Sequence, residues 1–347
     1  MDIRGMIKVR ESNFELLRLI AMFFIVWYHL LLKFIVVVDE SPIYKAMFIP
    51  LHVAVVCFVL ISGYFHIKPT LRGGGKLLYP LLVFYLPLTL YEILQCNMAV
   101  GNLLFFSKTS YWFIRTYFYL FLMAPILNSY LVSNKRRVYL LLVLFFMAIY
   151  MGWLMHDRSM FDGKNLVLFM FLYVLGDSLR QFKDLIDKVS TPVILVIYLF
   201  LNMAHMIVYV FYSDSFIGEI TWNLSYPYCS PILILNAVLL FILFSRLHFK
   251  SKSVNWLAGS VFAVYIIHHQ NFVLYKLIGP LVLTLYGEHY SPLILILYLG
   301  LYSLLIMFVC IMIDKLFTPL YNVFIQYVAE LGEKANKSLD RIVKLLA

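Results

Sequence analysis

The chain predicts an all-α polytopic membrane protein of about ten transmembrane helices with both termini on the cytoplasmic side. Three observations lead there. Hydrophobic residues make up 63% of the 347 and charged residues 13%, about half the charged share of a soluble domain, and mean hydropathy is +0.88. Apolar runs close to the roughly 20 residues that cross a bilayer recur along the whole length. Clusters of basic residues fall in alternate connecting segments, which sets an orientation.

Ten runs fit a span: 14–38, 46–66, 77–95, 113–132, 138–155, 164–180, 190–212, 228–246, 256–280 and 292–316. The segments after the even-numbered ones hold Lys68, Arg72 and Lys76; Lys135, Arg136 and Arg137; Arg180, Lys183 and Lys188; and Arg246, Lys250 and Lys252, and residues 1–13 add Arg4, Lys8 and Arg10. These segments belong on the cytoplasmic face. The opposite loops hold only isolated cations such as Lys45, Lys108, Arg158 and Lys276. The net charge of +10 is therefore a topology signal, and nucleic acid is not an implied partner.

Residues 14–316 read as one membrane domain between a cytoplasmic tail at 1–13 and another at 317–347. From Asn322 onward, Lys334, Lys337, Arg341 and Lys344 share a helical stripe, the pattern of an amphipathic helix attracted to anionic membrane lipids. The first apolar run has full span length and no small-residue cleavage pattern before it, so it is expected to stay in the membrane. Cys57, Cys96, Cys229 and Cys310 show no metal or redox spacing. Cys96 and Cys229 fall near outward-facing ends where a pair is conceivable, although isolated small apolar side chains are the simpler reading.

The first span carries the strongest functional signal. Arg18 and His29 are eleven residues apart, so on a helix they point within about 20° of one another and lie about 16 Å apart along the axis. An Arg at the bilayer centre costs roughly 2.5–3.5 kcal/mol. Such residues belong on a protein-lined interior path, a basic anchor at one depth and a titratable imidazole further along. The structural alternative is that Arg18 pairs with Glu15 one turn earlier and His29 bridges two helices.

The stretch Phe14-Glu15-Leu16-Leu17-Arg18, with His29 after ten intervening residues, resembles the opening of the integral-membrane acyltransferase family 3, the bacterial polysaccharide O-acyltransferases. Three further landmarks follow in the family's order: Ser62-Gly63-Tyr64 ending the second span, Tyr111-Trp112-Phe113-Ile114-Arg115, and Tyr265-Ile266-Ile267-His268. The family's Arg-x-x-Arg pair before an Ile-Tyr-Pro is absent. Here the chain reads Leu71-Arg72-Gly73-Gly74-Gly75-Lys76-Leu77-Leu78-Tyr79-Pro80, so Arg72 and Lys76 are the substitutes expected to meet donor phosphates, helped by glycine N–H groups that can approach an anion.

The resemblance implies a membrane O-acyltransferase of the bacterial cytoplasmic membrane that moves an acyl group, acetyl being the expected one, from cytoplasmic acyl-CoA to a hydroxyl of an extracytoplasmic saccharide or glycolipid. His29 is then the general base, and Glu92, the one acid at comparable depth, is expected to orient it. Arg18, Arg72, Lys76 and Ser62 are the expected donor-binding residues, and Trp112, Arg115, Tyr265 and His268 the acceptor or supporting ones. Of the adjacent His268 and His269, only one should face the interior. No metal-ligand spacing occurs and no bound cofactor is expected, acyl-CoA being a substrate. The competing class is a transporter or flippase for a glycan or lipid-linked intermediate, but midplane carboxylates, usual in ion-coupled carriers, are scarce here.

Overall fold

A computed structural model describes residues 11–96, 111–157 and 161–346, with side chains to residue 335 except at 96 and 161. Arg4, Lys8, Arg10, Lys108, Arg158, the side chain of Cys96, and those of Lys337, Arg341 and Lys344 lie outside the described residues. Among the described residues no strand occurs. In chain order the helices are α1 Ser12–Ile35, α2 Pro42–Phe65, α3 Leu71–Gln95, α4 Trp112–Tyr130, α5 Asn134–Leu154, α6 Leu166–Gln181, α7 Thr191–Tyr212, α8 Phe216–Ser225, α9 Pro231–Ser245, α10 Lys252–His268, α11 Phe272–Gly287, α12 Pro292–Leu316 and α13 Thr318–Leu346.

Local chemistry starts them where it should. Proline stands in the first turn of α2, α7, α9 and α12, where its missing N–H goes unneeded. Thr70, Asn165, Ser230 and Ser251 cap α3, α6, α9 and α10 with side-chain oxygens.

All ten predicted apolar runs are helical. Six of the described helices, α1, α2, α3, α5, α7 and α12, are long and apolar enough to cross a membrane. The ninth predicted run is not one straight span, because α10 and α11 meet at 82° across a short break and count at most as a seventh crossing. The helices α6 and α9 have 16 and 15 residues, about 24 and 22 Å of rise, short of a roughly 30 Å hydrocarbon core. On α7, Val196, Phe200 and Phe211 are 64%, 67% and 76% exposed, an apolar surface that suits lipid.

The interior is organised on α1, whose Leu17, Val26, Leu30 and Leu31 are fully buried. Beside it α2 and α6 cross in backbone contact. A Cβ added at Gly63 would stand 2.0 Å from the Tyr173 carbonyl oxygen, and one at Gly176 would stand 2.3 Å from that of Leu60. Gly63 and Gly176 therefore serve close helix packing.

The glycine run departs from its sequence reading. Gly73, Gly74 and Gly75 lie in the first turns of α3, not in a loop. The Gly73 N–H goes to Thr70 Oγ1 at 3.0 Å and that of Gly74 to the Thr70 carbonyl at 2.8 Å, so those donors serve the helix. The reason is tertiary: Gly75 lies against Val328 and Ile325 of α13, where an added Cβ would meet them at 3.1 and 3.4 Å. The tail helix thus packs on α3, and Tyr79 ties the two by donating to the Phe317 carbonyl at 2.8 Å.

Candidate active site

His29 lies in the last α-helical turn of α1, just before that helix widens into a π-helical turn at Leu31–Ile35, a distortion frequent at functional sites. Its Nδ1 is 2.9 Å from Nε2 of His268. On the far side of the second ring, His268 Nδ1 is 2.6 Å from the carbonyl of Val264, one turn back on α10. A carbonyl only accepts, so this nitrogen carries the proton and, in a neutral ring, Nε2 is the acceptor. His29 must then donate from Nδ1. The network therefore assigns the tautomer that leaves the lone pair of His29 on Nε2, the atom a general base uses.

His268 is fully buried and sits at the break between α10 and α11. That break is held from α3. Glu92 Oε1 accepts the Phe272 N–H, the first of α11, at 2.8 Å, and Gln270 donates to the Tyr85 carbonyl at 3.1 Å. A broken helix inside a membrane needs such partners for its freed backbone groups. Glu92 thus shores up the break, and the orienting contact to His29 comes from His268. Depth along a helix is readable from sequence, but which neighbour an acid faces is not.

His269 stacks on His29 with ring centroids 4.5 Å apart and planes 17° from parallel, and Tyr111 meets it edge-on at 5.1 Å. Ligand atoms of His29, His268 and His269 lie within 4.8 Å of one another, close enough to share a metal ion. No such set was readable from local spacing, because α1 and α10 are distant in sequence. The near-parallel rings of His29 and His269 do not converge on one point, and the His29 and His268 nitrogens stand at hydrogen-bond separation, so the present geometry suits a shared proton.

A cavity of 660 Å³ approaches this pair along α1, lined by Arg18, Met22 and Ile25, and so ends one helical turn before His29. Its other end is mainly basic, with Lys68, Lys76 and Lys315 beside Arg18 against the single acid Asp314; its middle is apolar and aromatic, with Phe58, Phe113, Tyr117 and Phe262. Tyr265 joins the two regions, lining the cavity while its ring lies 6.1 and 5.8 Å from those of His268 and His269. Arg18 also pairs with Glu15, as its sequence alternative allowed, and keeps 31% of its side chain exposed.

The other expected residues divide. Ser62 lines the cavity, but its hydroxyl donates to the Phe58 carbonyl at 2.9 Å and accepts from Tyr117 at 3.0 Å, leaving it a wall rather than a nucleophile. Lys76 lines the cavity, whereas Arg72, one turn back on α3, is exposed outside that wall. Trp112 packs on Phe169 and Tyr228 at 5.9 and 5.2 Å, and Arg115 is half-buried on α4; neither lines the cavity.

Sequence reasoning missed a polar cluster at the basic end. His66, just beyond α2 and part of the cavity wall, stands 2.7 Å from the fully buried Asp177, which also accepts from Arg137 at 2.6 Å and Arg180 at 2.8 Å. Asp177 thus joins two arginines and a histidine from three segments. His66 also has a φ of 57°, uncommon for any residue but glycine. An acid inside an apolar run with Arg180 three residues later was the one available signal. Thr318, Tyr321 and Asn322 of α13 also line the cavity, so the tail does more than anchor.

The family described as an acyltransferase domain, acyltransferase family 3, matches residues 11–315. No curated protein and no solved structure is similar to the chain at a significant level.

Proposed function

Because the chain belongs to acyltransferase family 3, we propose that it is a multi-pass O-acyltransferase of the bacterial cytoplasmic membrane, moving an acetyl group from cytoplasmic acetyl-CoA to a hydroxyl of an extracytoplasmic saccharide or glycolipid. The observation that carries this reading is the cavity that is basic at one end and stops one turn short of the His29–His268 pair. Coenzyme A has the complementary shape, with a phosphate-bearing head and a slender arm ending in the thioester. Arg18, Lys68, Lys76 and Lys315 would meet the phosphates, and the aromatic middle would take the arm.

In the reaction His29 Nε2 takes the proton of the acceptor hydroxyl as its oxygen attacks the thioester carbonyl. The tetrahedral adduct collapses, the C–S bond breaks, and the departing thiolate takes the proton from His29. An ester and free CoA result, and both imidazoles are neutral again. His268, accepting from Nδ1 throughout, holds the ring in register and stabilises the transient imidazolium. Glu92 supports this geometry through the helix break. Trp112 and Arg115 are proposed to serve the acceptor end.

Purified protein in detergent or proteoliposomes, given radiolabelled acetyl-CoA, is expected to release CoA and to label an envelope saccharide fraction, with His29→Ala inactive. Folded protein that neither cleaves the thioester nor transfers label, yet carries a glycan across a bilayer, would move the chain to the carrier class.

A further inference from the structure

Away from the cavity, a second histidine holds a nitrogen that this chemistry leaves unused. The cavity reaches α2 at Phe58, Ser62 and Phe65, and His52 lies six residues further along the helix, 4% exposed. Its Nδ1 is 2.8 Å from the Tyr226 carbonyl, so Nδ1 carries the proton and Nε2 is a bare acceptor. That Nε2 is buried and, among the described residues, has no hydrogen-bond partner. Buried polar atoms are seldom left so, and each exception asks for a missing donor.

The surroundings say what kind of donor. The imidazole is flanked by the rings of Tyr28, Tyr226 and Tyr228 at 4.6, 4.3 and 4.8 Å. Tyr28 immediately precedes His29, and its hydroxyl is 3.1 Å from that of Tyr226. Aromatic walls with one fixed polar group suit a ligand that offers C–H faces and hydroxyl donors together, which is the surface of a saccharide.

We propose that His52 Nε2 accepts a hydrogen bond from a hydroxyl of the acyl acceptor, in a saccharide subsite walled by Tyr28, Tyr226 and Tyr228. The subsite rests on the acyl-transfer reading. It holds a hydroxyl next to the reacting one while His29 takes the proton of the latter, so the two histidines divide binding and chemistry.

The test separates the two nitrogens. His52→Asn places an amide N–H where Nδ1 donated and removes the Nε2 acceptor, whereas His52→Gln reaches the Nε2 position with an amide oxygen and gives up the bond to Tyr226. Full-length protein in proteoliposomes receives radiolabelled acetyl-CoA and increasing amounts of the envelope fraction of the producing cells. For His52→Asn, the half-saturating amount of envelope should rise about tenfold, one hydrogen bond's worth, with the KM for acetyl-CoA unmoved, and His52→Gln should stay within about threefold of the parent. A parent-like His52→Asn, or variants that both lose acetyl-CoA and acceptor saturation together, overturns the subsite and leaves acyl transfer standing. A parent protein that transfers no label overturns the acyl-transfer reading, and the subsite with it.

Discussion

His29 and His268 are 239 residues apart in the chain and 2.9 Å apart between Nδ1 and Nε2. The pair is anchored at one end by the Val264 carbonyl, and this fixes which nitrogen of His29 is free to act. The logic is that of a base held by a neighbour, with a neutral imidazole in the place where many enzymes put a carboxylate.

The two histidines should therefore fail differently. His29→Ala is expected to lower kcat by about 10²–10⁴, the usual worth of a general base. His268→Ala should lower kcat by about 10–100 through lost positioning, with the KM for acetyl-CoA unchanged, and His268→Gln should recover part of it because the amide oxygen can still accept from Nδ1. Steady-state CoA release measures both. Equal losses in kcat and in donor binding for His268→Ala would make it a packing residue only.

Donor binding should follow the basic end of the cavity. Arg18→Ala and Lys76→Ala are expected to raise the KM for acetyl-CoA by about 5–20-fold with a smaller change in kcat, since a phosphate contact is uniform binding. Arg18→Lys should recover the charge without the fork geometry and restore binding only in part. Arg72→Ala should have the smallest effect, because Arg72 is exposed outside the cavity wall. Titration calorimetry with CoA gives the ranking.

The crossing of α2 and α6 makes a prediction about stability. Gly63→Ala places a methyl group 2.0 Å from the Tyr173 carbonyl oxygen, and Gly176→Ala one 2.3 Å from that of Leu60. Each should destabilise the fold by about 1–3 kcal/mol or more, the range for overpacking. Gly287→Ala, where nothing lies within 4 Å, is the control and should leave the melting temperature in detergent unchanged.

What the sequence disclosed and what it withheld divide along sequence distance. Arg18 and His29 were legible as a pair because one helix carries both and helical geometry fixes their relation. His268 was marked by its landmark motif, but its bond to His29 joins two helices and has no local signature. The same is true of Asp177 toward His66 at the end of α2 and Arg137 of α5, whereas Arg180, three residues on in α6, was the one local signal. Glu92 was singled out by its position on the helix, and the bond it makes to the Phe272 N–H joins distant segments and has no local signature either. Three consecutive glycines argue against helix, and only the Thr70 cap and the packing of α13 make one there.

Sidedness distinguishes an acyltransferase from a carrier. Arg18 lies at the cavity's basic end and His29 about 16 Å further along α1, so the proposed acyl transfer predicts that CoA enters from the face that carries Lys68, Lys76 and Lys315. Cys57, Cys229 and Cys310 are free and buried, which keeps the background low once Cys96 is replaced by Ser. A single Leu77→Cys, on the cavity wall beside Lys76 and only partly buried, should react with a small thiol reagent. CoA added to inside-out vesicles should protect it, and CoA on the opposite face should not. A carrier would be protected by its cargo from either face and by CoA from neither. Loss of protection in Arg18→Ala/Leu77→Cys would tie the effect to the phosphate anchor rather than to closure of the whole molecule.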